Sequence, residues 1–174
     1  MKINRKRVFR DIYLIIGILA FLIVVLFLIR AFSVKELDDV SPGINCSPDL
    51  LTKADVLWVV PEFGNFSISN SQEWCEYIKS LNKTLGLHGV YHSYNEFGSD
   101  REKNYLNVGI SDFENCFGYK PKMFKAPQLN LTEDDEKLIL SNEMVILGRF
   151  SQLIHKVYHC SDTGRFSNRF VDWF

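Results

Sequence analysis

Leu85-Gly86-Leu87-His88-Gly89-Val90-Tyr91-His92-Ser93 is a short strand-like run that ends on one imidazole and reaches a second four residues later. Four residues are about one helical turn, so His88 and His92 face the same way if the chain coils after Leu87. Two imidazoles and a carboxylate brought from elsewhere hold a divalent cation and leave a coordination position open, which is the pattern of a catalytic metal site. The stretch therefore asks two questions of the rest of the chain: what fold surrounds the strand, and where the carboxylate comes from.

Outward from this stretch, short apolar runs alternate with amphipathic ones. Residues 54–60 are β-branched and aromatic and stop at Pro61, as a buried strand does. Residues 73–81 read as a helix, with Trp74, Tyr77, Ile78 and Leu81 on one face and Asn70 or Ser71 as cap. A helix is predicted over 101–117, ended by Gly118, and a strand over 122–125, closed by Ala126-Pro127. Thr132 opens a helix through residue 140 with Asp135 in capping-box position, and the acidic run 133–136 suits its N-terminus. Residues 143–147 and 153–158 complete the strands. Strand–helix alternation predicts an α/β domain with a largely parallel sheet or barrel.

Chemistry in such folds gathers at the carboxyl ends of the strands. The predicted strand at 32–37 is followed by Asp38-Asp39, the strand at 85–87 by His88, that at 122–124 by Lys125 and Pro127, and the last by His159. Asp38-Asp39 ahead of Ser41-Pro42-Gly43 also suits a plain turn, but with the histidine pair it completes a three-ligand set. His155 competes with His159; the latter is preferred because it stands at the strand end, which leaves His155 as a strand residue facing outward. Lys125 reads equally as a solvated charge, and Asn95 and Glu96 as cleft residues or ordinary loop polarity. Trp58 and Trp74 are expected in the core.

In order, Leu37-Asp38-Asp39-Val40-Ser41-Pro42, Leu87-His88-Gly89-Val90-Tyr91-His92, Phe124-Lys125-Ala126-Pro127 and Val157-Tyr158-His159 resemble the successive motifs of the polysaccharide deacetylase superfamily, in a deacetylase-like branch apart from the chitin and peptidoglycan enzymes. The resemblance covers residues 32–174. It implies a distorted or incomplete (β/α) barrel with fewer strands than eight, and a divalent metal, Zn2+ first among candidates, on Asp39, His88 and His92. It further implies Asp38 as general base, His159 as general acid toward a leaving amine, and Lys125 and Pro127 as substrate-contacting or orienting residues. The implied function is deacetylation of an N-acetylated amino sugar or glycan; the alternative is an impaired domain that binds a glycan or protein partner without turnover. Two positions depart from the family: Lys125 stands where Arg is usual, keeping the charge but losing the planar fork, and Gln128 stands where an aromatic often follows the proline. About 15 residues separate Asp39 from the next strand, so a helix is expected to be missing there.

Residues 13–29 carry no charge, and Ala31-Phe32 beyond Arg30 extend the run, which predicts a transmembrane anchor over 13–32. Lys2, Arg5, Lys6, Arg7 and Arg10 precede it and only Arg30 and Lys35 follow closely, so the basic segment 1–12 is expected in the cytoplasm and residues 33–174 outside. A cleaved signal peptide is the rival, disfavoured by the long apolar core and the want of a clear cleavage site. Asn45, Asn65, Asn82 and Asn130 begin glycosylation acceptor patterns, and Cys46, Cys75, Cys116 and Cys160 allow up to two disulfides in three connectivities. With 47% apolar residues and a net charge of -1, the chain can bury one sizeable core and gives no sign of a nucleic-acid partner. Its oligomeric state is not legible.

Overall fold

The computed structural model describes residues 5–174. Lys2, used above to orient the anchor, lies outside them. Helix α1 (Arg5–Ala31) is one continuous helix, and its segment Phe9–Ala31 is long and apolar enough to cross a membrane, with most of its apolar side chains exposed. Arg30 ends this helix on the rest of the chain: its guanidinium donates to the carbonyls of Leu153 and His155 at 2.8 and 2.7 Å.

The remainder is an α/β domain. Strands β1 (Lys35–Val40), β2 (Val56–Val59), β5 (Thr84–Leu87), β6 (Met123–Phe124), β7 (Val145–Ile146) and β8 (Lys156–His159) form one six-stranded sheet in the order β7-β6-β5-β2-β1-β8. Every pairing in it is parallel. Parallel neighbours need crossovers, and helices α2 (Pro48–Lys53), α3 (Gln72–Ser80), α4 (Lys103–Phe117) and α5 (Glu133–Ser141) supply them between consecutive strands, while α6 (Arg149–Ile154) leads from β7 to β8. A hairpin of β3 (Glu62–Phe63) and β4 (Phe66–Ser67) precedes α3, and α7 (Asn168–Trp173) packs on β8. Strands β7 and β8 end the sheet and α6 joins them, so the barrel is incomplete, as expected.

Several boundaries moved for identifiable reasons. The helix expected to be missing after Asp39 is present but only six residues long: Pro48 stands in its first turn and Ser47 Oγ accepts the Asp49 N–H, so local chemistry starts a helix too short to show a period. The strand expected over 153–158 is divided between α6 and β8. At the start of α5, Thr132 Oγ1 does accept the Asp135 N–H, but Asp135 turns its carboxylate to the N–H of Arg101 and the expected capping box is half-made. Gly118 ends α4 at φ +82, as its position suggested.

Alternation on the strands divides the sheet chemically. Leu37, Leu57, Leu87 and Phe124 are wholly buried. Their neighbours Glu36, Asp38, Trp58, Gly86 and His88 occupy the other parity, and Trp58 fills the space above Gly86, where a Cβ would lie 2.3 Å from the indole. One parity thus makes the oily core and the other a buried polar interior. Of the three possible connectivities the structure has Cys46–Cys160 and Cys75–Cys116, with no free thiol. The first ties the loop after β1 to the residue after His159, both at the carboxyl end of the sheet. The four acceptor asparagines are all exposed.

Candidate metal centre

Asp38 and Asp39 lie inside β1 rather than after it. Strict alternation would send them to opposite faces, but the register slips between Leu37 and Val40: two steps on β2 face three on β1, and Asp39 takes φ +65. An inserted residue of this kind is a β-bulge, which re-aims a side chain, and aspartate tolerates the left-handed conformation better than most residues. Both carboxylates consequently line one cleft.

The histidines reach the same cleft without a helix. Residues 88–92 form a tight loop in which Gly89 has φ +66 and His92 φ +55, which corrects the coiling expected after Leu87. Its clamp is Glu96, whose carboxylate accepts the N–H groups of Val90, Tyr91 and His92 at 3.0, 2.8 and 3.1 Å and the Tyr105 hydroxyl at 2.7 Å. A Cβ at position 89 would fall 2.2 Å from Glu96 Oε2 and 2.7 Å from Pro127 Cγ, so only glycine fits there. Pro127 accordingly braces the histidine loop from behind and is absent from the cleft lining.

One ligating atom from each of Asp39, His88 and His92 falls within a 4.8 Å group. His88 Nδ1 donates to the Lys125 carbonyl at 2.9 Å, which fixes the tautomer and leaves Nε2 as the free lone pair toward Asp39. Asp39 Oδ1 is 3.4 Å from that Nε2 and 2.7 Å from His92 Nε2, yet it is buried and accepts no aligned hydrogen bond. An orphaned carboxylate oxygen facing two imidazole nitrogens is a donor set that fits a divalent cation. Burial alone would raise the Asp39 pKa; the close approach of the His88 and His92 imidazoles overcomes it and holds the carboxyl far below the usual range. Burial likewise opposes the His92 cation, and Asp39 outweighs it, raising the imidazole.

Lys125 is no solvated charge. It is 1% exposed, with Nζ 2.8 Å from Asp38 Oδ1 and 2.9 Å from Glu36 Oε2. Glu36 is fully buried, accepts the Trp58 indole N–H at 2.7 Å and contacts His155 through its other oxygen. Burial pushes Glu36 up and Lys125 down; mutual attraction, with Asp38, His155 and Trp58 added, reverses both. His155 is thus not an outward strand residue but the C-cap of α6 turned in against Glu36. Glu36 is not among the residues that the strand ends pick out, although two residues before Asp38 on a strand is the same face.

His159 Nε2 stands 3.6 Å from Asp38 Oδ2, the oxygen that Lys125 leaves free. Its ring lies over Gly164, where a Cβ would be 2.2 Å from Nδ1, and Thr163 Oγ1 donates to Asp39 Oδ2 at 3.2 Å. The cleft has a volume of about 670 Å³ and is also lined by Gln128, Arg149, Gln152 and Arg165. A second hollow of about 520 Å³, beside residues 40–46, Trp74 and Tyr77, offers no carboxylate or imidazole.

No family model matches the chain. An uncharacterised protein of Methanocaldococcus jannaschii is 31% identical over 98 residues, 51% of this chain and 38% of that protein, so the chain spans well under half the length of this relative. Among solved structures, the Bc1960 peptidoglycan N-acetylglucosamine deacetylase superposes with a TM-score of 0.55 at 18% identity, over 68% of this chain and 56% of that one. A mutant of BA3943, a CE4 family pseudoenzyme, gives a TM-score of 0.53 at 15% identity, over 67% and 44%. The six-stranded parallel domain of this chain has the fold of the polysaccharide deacetylase superfamily.

Proposed function

We propose that this chain is a membrane-anchored, metal-dependent hydrolase that removes the acetyl group from an N-acetylated amino sugar or glycan. The observation that carries the reading is the Asp39–His88–His92 donor set, with an orphaned carboxylate oxygen between two imidazoles and a second acid–base pair, Asp38 and His159, beside it. A divalent ion, Zn2+ before other first-row ions, supplies Lewis-acid polarisation of the acetyl carbonyl and a nucleophile at neutral pH. Lys125 holds Asp38 by Oδ1 and leaves Oδ2 to take a proton from the attacking water. His159 gives a proton to the departing amine, so that amide and water become acetate and amine. Arg149, Gln152, Gln128 and Arg165 offer the hydrogen-bonding rim that a saccharide requires.

One observation favours a second reading, a cleft that binds a glycan or protein partner without turnover: the forked cation and the aromatic expected from the resemblance are Lys125 and Gln128. Both readings are tested on the purified full chain by elemental analysis and by acetate release from a soluble N-acetylglucosamine oligomer. The hydrolase reading expects one ion per chain and acetate; His88→Ala should lose the ion, and Asp38→Asn should keep it and lose acetate. A fully loaded His88→Ala protein removes the ligand set, and a loaded wild-type chain that releases no acetate from any acetylated saccharide selects the binding reading.

The anchor reading rests on the apolar segment Phe9–Ala31 and the basic residues before it. It puts the N-terminus in the cytoplasm and the deacetylase-like domain, residues 33–174, outside. The two disulfides suit an oxidising compartment. Protease added to intact cells should remove the C-terminal domain; full protection reverses the orientation.

A further inference from the structure

The side of the domain built by α6, α7 and the loop between β8 and α7 is unusually oily for a surface. Phe150 is 74% exposed, Leu153 54%, Phe166 56% and Trp173 71%. These groups are not scattered. Phe27 of α1 meets Trp173 at 5.5 Å between ring centroids, Trp173 meets Phe170 at 5.9 Å, and Phe170 stacks on Phe166 at 5.0 Å. An unbroken row of aromatic rings thus leaves the apolar helix and climbs α7 toward residues 163–165, which border the cleft. On α6, Phe150 and Leu153 are one turn apart, and that helix carries the Arg30 contact with the end of α1.

Charge follows the same path. Each of the three phenylalanines is preceded by an exposed arginine: Arg149-Phe150, Arg165-Phe166 and Arg169-Phe170. The nearby acids are occupied, Asp172 by Lys53 and Tyr158, and Asp162 by the Asn168 N–H. Aromatic rings that insert, beside guanidinium groups that meet phosphates, are the chemistry of the headgroup layer of a bilayer.

We infer that this face is a docking surface for the bilayer that α1 crosses, so that the domain leans on the membrane through α6 and α7. The occupant is the lipid surface rather than a second copy or a soluble polymer, because the row of rings starts on the apolar helix itself and its charges match anionic headgroups. Arg149 and Arg165 belong both to this face and to the cleft wall. The mouth of the cleft therefore opens at headgroup level, and, resting on the hydrolase reading above, the substrate is an N-acetylated amino sugar carried on a membrane lipid.

The test uses the full chain in nanodiscs containing phosphatidylglycerol. All four native cysteines are paired, so single added cysteines at Phe166→Cys, Phe170→Cys, Leu22→Cys in α1 and Lys79→Cys on α3 can each carry a spin label. Relative accessibility to oxygen and to a water-soluble nickel complex reads depth. Labels at 166 and 170 should sit at interfacial depth, with 22 in the hydrocarbon and 79 in water. If 166 and 170 match 79 while 22 is in hydrocarbon, the docking inference falls and the hydrolase reading stands; if 22 is in water, anchor and docking fall together. As a second readout, Phe166→Asp with Phe170→Asp should lower turnover of a vesicle-borne N-acetylglucosaminyl lipid at least tenfold and leave a soluble oligomer within twofold. Equal effects on both substrates overturn the lipid-borne substrate, and an inactive wild type overturns the hydrolase reading while the labels still decide docking.

Discussion

Two clusters of acids in this domain meet the same problem with opposite solutions. Along β1, Glu36, Asp38 and Asp39 are almost wholly buried, and each faces a cation or imidazole: Lys125 for the first two, His88 and His92 for the third. Near the β3–β4 hairpin, Glu62 faces Asp112 and the Ser67 hydroxyl, with no cation. There burial comes first and the hydrogen bond and repulsion of Asp112 follow, raising the Glu62 pKa to about 7, whereas Glu36 and Asp39 are lowered. Asp112 Oδ2, buried and otherwise unpartnered, is the acceptor that a protonated Glu62 needs. Burial raises every carboxyl; the neighbour decides the sign. Beside Lys125 and the imidazoles, Glu36 and Asp39 are held ionised; beside Asp112, Glu62 is drawn toward its protonated form.

The sharpest break in this comparison is Lys125→Met, which leaves Glu36 and Asp38 buried without their cation and should cost about 3–5 kcal/mol in chemical denaturation. Lys125→Arg should recover part of it, since the charge returns in a larger fork. Next is Glu96→Gln. Glu96 satisfies its carboxylate with backbone N–H groups instead of a cation, and a single amide oxygen cannot accept all of them. The loss should be about 1–3 kcal/mol of stability, with metal affinity down 10–100-fold by isothermal titration.

A pH series sharpens the contrast further. Glu36 and Asp39, depressed in the folded state, contribute stability that is present above the ordinary carboxylate range and lost as pH falls below it. Glu62, raised from 4.5 to about 7, behaves oppositely: its contribution is complete below pH 4.5 and lost as pH rises through about 7. Melting temperature should therefore decline on both sides, and Glu62→Gln should flatten only the upper limb. The smallest effect is expected from Asp112→Asn, which removes the repulsion. Titration of Glu62 followed by NMR should move down, with about 0.5 kcal/mol or less gained above pH 7 after solvent screening.

Much of this was legible because it depends on spacing along the chain. The apolar helix, the strand–helix alternation, Gly118 as a stop and the histidine pair at a strand end are all local patterns, and the strands appeared within a few residues of their predicted places except where α6 intruded. The polar floor of the site was less legible. Glu36 looks like an ordinary strand-surface acid until Lys125, 89 residues away in sequence, is folded against it. Lys125 itself could not be told from a solvated lysine, nor His155 from an outward strand residue, because burial of a charge is defined only by what covers it.

What the sequence determined by itself was which residues stand near strand ends and that an apolar helix precedes them. Tertiary structure decided how they face. Alternation alone would have parted Asp38 from Asp39, and the bulge in β1 turned both into one cleft. The four-residue step from His88 to His92 was read as a helical turn, and the Glu96 clamp made it a loop instead. In each case a side chain's direction follows from backbone angles that a distant partner stabilises, and that free energy exists only once the partner has arrived.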